Sequence, residues 1–273
     1  MGRYIEDKRS AFRALHASGC FVLPNPWDIG SARLLQHLGF PALASTSAGF
    51  AWSAGRPDYG VTRTAALDHL RTLCAAVDLP VNADFESGFA REPEALADNV
   101  RLALDTGIAG LSVEDRQVDA PFGLYDIALS TERIRAARGA IDQSGTGVIL
   151  VARTEGLLRD PDAVTPAIEK LVAFAAAGAD CLYAPGARKR EDIAAMVRAV
   201  APKPVNVLMM RPGLSVAELA DLGVRRISVG GALARVAWGA MLGAARQMLE
   251  GSFDGLAGAT PGTELNEVFE RFP

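Results

Sequence analysis

The sequence predicts an α/β fold, a single (β/α)8 TIM barrel with an added C-terminal helical segment. Apolar, β-branched runs recur along the chain, each bounded by Gly, Pro, Asp or Asn and each followed by a stretch of helical periodicity. Several runs are apolar on both faces, as parallel strands covered by helices must be. Eight such units in roughly 250 residues is the arithmetic of this barrel. A doubly wound open sheet is the competing architecture, but no Gly-rich dinucleotide fingerprint follows the first run.

The expected strands are Phe21–Trp27, Ala42–Ser47, Val81–Phe85, Gly110–Asp115, Val148–Thr154, Cys181–Pro185, Val205–Met209 and Arg226–Val229. Helix signals fall between them: Pro93 near the start of the third helix, Ser130 before Thr131, Glu132 and Arg133, Pro161 opening the fifth and Gly178 ending it. No linker or low-complexity stretch divides the chain, so residues 1–273 read as one domain. The tail from Gly251 to Pro273, with a short helix over Glu264–Phe272, lies beyond what a barrel needs and is expected to pack on a neighbouring subunit.

The 273 residues are 49% hydrophobic and 22% charged, enough to bury a sizeable core. With 28 basic against 32 acidic residues the net charge is −4, and no Lys/Arg run builds the stripe that nucleic acid requires. The charged start MGRYIEDKRS is followed by no apolar segment of signal-peptide length, and the longest apolar run, Leu171 to Ala179, is too short to span a bilayer. A soluble cytoplasmic protein is expected, with no membrane partner. Cys20, Cys74 and Cys181 are odd in number and widely spaced, which suits reduced thiols. His16, His37 and His69 all fall in expected helices and read as structural.

In this architecture chemistry gathers at the carboxyl ends of the strands. The third strand ends in Asp84-Phe85-Glu86 and the fourth in Glu114-Asp115. If the third strand runs far enough, alternation points Asp84 and Glu86 the same way. Such acids are either helix caps and loop ion pairs or, converging at one mouth, oxygen ligands for Mg2+ or Mn2+. Arg153 ends the fifth strand, where a planar guanidinium either grips a carboxylate ligand or pairs with Glu114 or Glu155. Ser45, Thr46 and Ser47 form either a plain turn or a set of amides facing an anion. Asp58, in Gly55-Arg56-Pro57-Asp58, lies on a long loop that either overhangs the mouth or is simply solvated. Asn206 on the seventh strand joins Ser45, Thr46, Ser47 and Arg153 as a candidate substrate-binding residue. The pair Gly230-Gly231 after the eighth strand serves a tight strand-to-helix turn.

These motifs, in order and spacing, resemble the isocitrate lyase/phosphoenolpyruvate mutase family from Phe21 to about Glu250. Asp84-Phe85-Glu86-Ser87-Gly88-Phe89 resembles its acidic metal motif, Val113-Glu114-Asp115 its fourth-strand pair, and Ala152-Arg153-Thr154 its substrate-binding strand. Ser45-Thr46-Ser47 and Gly55-Arg56-Pro57-Asp58 resemble its carboxylate-binding turn and catalytic-loop aspartate. The resemblance implies Mg2+ held by Asp84, Glu86 and Glu114, partly through water, and chelated by the carboxylate and 2-oxo oxygen of a pyruvate-like group. It also implies a homotetramer, a dimer of dimers whose last helices are exchanged between neighbours. One departure stands out. Family lyases for isocitrate or methylisocitrate carry a Lys-Lys-Cys-Gly-His or Lys-Arg-Cys-Gly-His loop after the fourth strand, and the mutase and phosphonopyruvate hydrolase use a lysine there. This chain reads Arg116 to Asp126 without Cys, His or Lys. The second metal-motif acid is Glu where Asp is commoner.

The expected activity is therefore a Mg2+-dependent carbon–carbon lyase or decarboxylase for a small 2-oxo or 2-hydroxy di- or tricarboxylic acid, oxaloacetate-like or methylisocitrate- or methylmalate-like. Pyruvate, oxaloacetate or 2-oxoglutarate would bind, and the enolate formed on bond cleavage would be stabilised by concentrated positive charge. Proton transfer falls to Asp58, Tyr125 or a metal-bound water, in that order, with Asp58, Arg153 and Tyr125 as the catalytic set. A retro-Claisen hydrolase of a 2-oxo di-acid and a non-catalytic 2-oxo acid-binding protein are the alternatives.

Overall fold

The computed structural model describes residues 2–120 and 122–272. Met1 of the charged start, Pro121 of the loop after the fourth strand and Pro273 of the tail lie outside the described residues. The elements run α1 (Gly2–Ala17), β1 (Phe21–Leu23), α2 (Ile29–His37), β2 (Leu43–Ala44), α3 (Ser47–Ser53), α4 (Arg63–Ala76), β3 (Val81–Asp84) and α5 (Pro93–Leu104). They continue β4 (Gly110–Glu114), α6 (Ile127–Ser144), β5 (Ile149–Arg153), α7 (Gly156–Arg159), α8 (Val164–Ala176), β6 (Cys181–Tyr183), α9 (Arg190–Val200) and β7 (Val205–Leu208). The chain closes with α10 (Val216–Asp221), β8 (Arg226–Ser228), α11 (Ala232–Leu249), a 3-10 turn at Asp254–Leu256 and α12 (Gly262–Phe269).

All strands are parallel, in the order β1-β8-β7-β6-β5-β4-β3-β2. The remaining seam between β1 and β2 is bridged where the Ala44 N–H donates to the Pro24 carbonyl at 3.0 Å. Asn25 tightens the same seam, its amide donating to the Ser45 carbonyl while its oxygen accepts from the Val229 and Gly230 N–H groups. This nearly closed barrel is the predicted (β/α)8 fold.

The strands are shorter than expected at their carboxyl ends, for local reasons. The first leaves the ladder after Leu23, where Pro24 and Pro26 lack a donor. The second stops at Ala44 because Thr46 already caps α3, its hydroxyl accepting from the Gly49 N–H. Ser130 does not open the sixth helix. Asp126 caps it by accepting from Leu129 N–H, and Ser130 lies buried one turn in, donating to the Tyr125 carbonyl. Pro93 occupies the first turn of α5, as expected.

Two apolar layers hold the barrel. The outer one, between strands and helices, contains Leu70, Leu96, Val100, Ile134, Leu171 and Ile193 among others. The inner one joins Phe21, Leu23, Ile149, Val151, Cys181 and Tyr183 to Phe12 of α1. Phe12 comes so close to β4 that a Cβ on Gly110 would stand 2.5 Å from its ring, so only glycine fits there. A polar network also runs inside. Buried Arg226 donates to the amide oxygens of Asn206 and Asn82, and Asn206 donates to Ser228 Oγ. The tail helix α12 rests on α2 of its own chain, with Phe269 near Gly30 and Arg33 over the Phe272 ring. Cys74 and Cys181 are buried free thiols whose pKa values burial pushes up to about 12 and about 11.

Candidate active site

Register places the key side chains in one layer. Glu114 of β4 is the Cα partner of Arg153 of β5, and Arg153 is the partner of Tyr183 of β6. Asp84 at the end of β3, Arg153 and Tyr183 line a cavity of about 530 Å³ at the carboxyl ends of the strands, with Glu114 buried against Arg153. Its remaining wall comes from the loops, chiefly Thr46, Ser47, Asp58, Tyr59, Glu155 and Arg159.

Arg153 sits at the centre of a ring of acids. It contacts Glu155 closely, its Nε lies 3.4 Å from Glu114 Oε2, and its Nη1 lies 3.5 Å from Asp84 Oδ1. Burial opposes the charge of the guanidinium, but Glu155 and Glu114 more than reverse this and hold its pKa above the ordinary value. Both ion pairs that the sequence allows therefore form, and the residue still faces the cavity. Glu155 is itself held from behind by Asp115, which accepts from the Glu155 N–H and from Thr154 Oγ1 while paired to Lys170 at 2.6 Å. Asp115 thus supports the layer rather than lining the cavity.

The Ser45 to Ser47 turn meets an anion, and that anion is Asp84. Ser47 donates to Asp84 Oδ2 from both N–H and Oγ at 2.9 and 2.8 Å, and Ser45 Oγ accepts from the Asp84 N–H. Thr46 and Ser47 line the cavity, whereas Ser45 lies beneath it.

Asp84 and Glu86 do meet, but by a turn and not by strand alternation. The strand ends at Asp84, and Glu86 takes a left-handed backbone with φ of 50°. Both acids line a small crevice against Phe50, His69 and Phe89. Glu86 Oε1 is buried with no hydrogen-bond partner among the described residues. Burial, then Asp84 and Asp58, raise its pKa to about 8. Glu114 is also raised, by burial and then by Glu155 and Asp84, against the opposing pull of Arg153.

A divalent cation fits these residues. The donors are hard carboxylate oxygens, one of them orphaned, and the acids are short of positive charge. Among the described residues no three His, Cys, Asp or Glu side chains close around one point as a cage. Such a donor set suits Mg2+, which keeps several waters and takes few protein ligands.

Asp58 reaches the mouth. Although the residue is exposed on its loop, partial loss of solvent around its carboxyl at the mouth, and then Asp84, shift its pKa upward. Its neighbour Tyr59, which the sequence reading missed, donates to Glu114 Oε1 at 2.8 Å. Arg116 stacks over the Tyr59 ring, 3.2 Å from its centroid. The signal that could have found Tyr59 is its place beside Asp58 in the overhanging loop; its φ of 62° belongs to the folded chain alone.

Two candidates lie elsewhere. Tyr125 is buried away from the cavity, its hydroxyl accepting from the Val118 N–H and its ring under Arg133, because the chain turns inward there to start α6. Asn206 spends its amide on Arg226 and Ser228 inside the barrel, which withdraws it from substrate. The loop after β4 folds back on itself, with Arg116 bridged to Leu124, and Arg159 donates to the carbonyls of Phe122 and Gly123. Phe122 is thereby brought to the rim of the cavity.

Tyr59→Phe is expected to cost about 2 kcal/mol, since it removes a donor from a buried carboxyl oxygen. Urea unfolding reads this directly, and an unchanged midpoint would mean the bond contributes nothing.

The phosphoenolpyruvate phosphomutase family profile matches residues 12–249. An uncharacterized protein of Mycobacterium tuberculosis is 37% identical over 223 residues, 81% of each chain. A 2-methylisocitrate lyase of Bacillus subtilis is 30% identical over 65% of this chain and 60% of its own. An oxaloacetate decarboxylase of Rhodopseudomonas palustris is 28% identical over 82% and 77%. Among solved structures, a Burkholderia cenocepacia protein described by inference as a lyase or mutase superposes with a TM-score of 0.94, at 47% identity and 98% of both chains. Oxaloacetate acetylhydrolase with bound oxalate superposes with a TM-score of 0.85, at 27% identity over 96% and 94%. No helix of the described residues is long and apolar enough to cross a membrane. With motifs, barrel and profile in agreement, the chain belongs to the phosphoenolpyruvate phosphomutase family of the isocitrate lyase superfamily.

Proposed function

We propose that the chain is a Mg2+-dependent (or Mn2+-dependent) carbon–carbon lyase or decarboxylase for a small 2-oxo or 2-hydroxy di- or tricarboxylic acid, oxaloacetate being the simplest. The observation that carries this reading is Arg153, which lines the cavity in contact with Asp84 and Glu114, while Asp84 shares a neighbouring crevice with Glu86, whose Oε1 has no hydrogen-bond partner among the described residues. Asp84, Glu86 and Glu114 would hold the ion, which when bound supplies positive charge beside the substrate carboxylate and 2-oxo oxygen. Arg153 draws the substrate carboxylate to the floor, with the Thr46 and Ser47 side of the mouth as the facing wall. Tyr59 and Ser47 keep Glu114 and Asp84 in place by hydrogen bonds. As the bond to the departing carboxylate breaks, its electron pair moves toward the 2-oxo oxygen and leaves an enolate. Asp58, whose raised pKa lets it hold a proton above the ordinary carboxylate range, delivers that proton to the enolate carbon.

A retro-Claisen hydrolase of the same acids is the second reading, favoured by the likeness to oxaloacetate acetylhydrolase. Product analysis separates the readings. The protein, oxaloacetate and Mg2+ are expected to release pyruvate and CO2 faster than a chelator-treated control. Oxalate and acetate instead would establish the hydrolase, and tight binding of the acid without any product would leave a binding protein.

The same reading includes a homotetramer, a dimer of dimers. Helix α11 supports it, because Val236, Met241, Leu242 and Leu249 are exposed along it and Phe253 and Leu256 follow in the tail. Light scattering is expected to give the tetramer mass, and a monomer would remove this part.

A further inference from the structure

Helix α4 turns one face to the crevice that Asp84 and Glu86 share. Ala66, His69 and Leu70, three and four positions apart, all line it. His69 is stacked on Phe50, with ring centroids 3.9 Å apart and planes 8° from parallel, which fixes the plane of the imidazole. Its Nε2 is buried without a hydrogen-bond partner among the described residues, and so is Oε1 of Glu86. Both residues belong to the lining of this one crevice.

A buried polar atom left unpaired costs free energy, and a nitrogen and an oxygen in that condition on one crevice call for a shared partner. The crevice measures about 10 Å³, room for a single water and for no organic group. Ser45 and Thr46 line it as well, and their hydroxyls, which accept from the Asp84 and Gly49 N–H groups, can still donate. Burial lowers the His69 pKa to about 4, against an opposing pull from Asp28, so the ring is neutral and one of its nitrogens carries a proton.

We propose that His69 is a positioning residue for the metal centre: its Nε2–H donates to one water held in the crevice, and that water donates to Glu86 Oε1, fixing the carboxylate for a divalent cation. The inference rests on the functional reading above, in which Glu86 is a ligand. His69 touches neither substrate nor cation in this arrangement and acts through Glu86 alone. A histidine that the sequence marks as structural thereby gains a task in holding the ion.

The test is calorimetric titration of the whole chain with Mg2+ alone, repeated with Mn2+ while free Mn2+ is followed by electron paramagnetic resonance. His69→Phe keeps a ring on Phe50 and removes the nitrogen, and is expected to weaken both ions by about tenfold to a hundredfold. His69→Gln gives up the stack but retains an N–H donor, and is expected to bind them close to wild-type strength. A packing role predicts the reverse order, with Phe benign and Gln harmful, and that order would overturn the proposal. So would affinities equal in all three proteins, or equally weakened in both variants. His69→Leu, which also lacks the nitrogen, takes the place of the Phe variant should that chain not fold. A wild type that takes up neither ion would sink the metal reading of the site and this inference with it, whereas the other adverse outcomes remove only the role of His69.

Discussion

Arg153→Met is expected to abolish turnover, by about a thousandfold or more, and to destabilise the fold by on the order of 4 kcal/mol. Both effects have one origin. The guanidinium neutralises Asp84, Glu114 and Glu155 in a buried layer, so its removal leaves three acids facing one another across a few ångströms. Arg153→Lys keeps the charge but not the planar fork, and one ammonium cannot serve acids on three elements at once. We expect the Lys variant to regain most of the stability while losing ten- to a hundredfold in affinity for oxalate or a 2-oxo acid. Calorimetry and thermal melts separate the two effects. A Lys variant that binds and turns over like the wild type would reduce the arginine to a structural ion pair.

Glu86 predicts a second large effect, on stability against pH. Its pKa is about 8 in the folded chain against an ordinary 4.5. The folded protein thus keeps a proton that the unfolded chain has lost across that interval. A raised folded pKa contributes stability that is complete below about pH 4.5 and is lost as pH rises toward 8. The loss is on the order of 4 kcal/mol, which in a chain of this size lowers the melting temperature by about 10 °C. In the presence of a chelator the wild type is expected to melt progressively earlier from pH 5 to pH 8. Glu86→Gln carries no charge to expose and is expected to follow a flatter curve. Added Mg2+ should restore the wild type most at high pH, where the carboxylate is ionised. Parallel curves for the two proteins would show that Glu86 is not the buried acid responsible.

Much of this molecule was legible before folding was considered. The eight units were visible because strand and helix periodicities are local, and parallel strands buried on both faces must be continuously apolar. Asp84, Glu114 and Arg153 were visible because a barrel gathers whatever ends its strands, and these polar residues end apolar runs. The strands' carboxyl limits were less legible, since Thr46 takes the backbone after β2 as a helix cap.

What lay beyond the sequence was the direction of side chains outside regular elements. Tyr125 looked suitable in an unsupported loop, yet the chain turns it under Arg133, while Tyr59 supplies the hydroxyl that meets Glu114. Asn206 sits on the expected strand, but its partner Arg226 is 20 residues away and claims it inside the barrel. By itself the sequence determined the barrel and the family of acids at its mouth, because both follow from periodicities repeated along the chain. Only tertiary structure decided that one guanidinium faces three carboxylates, and that an oxygen of Glu86 is left without a hydrogen-bond partner among the described residues. Those outcomes depend on distances between residues far apart in the chain, which no local pattern encodes.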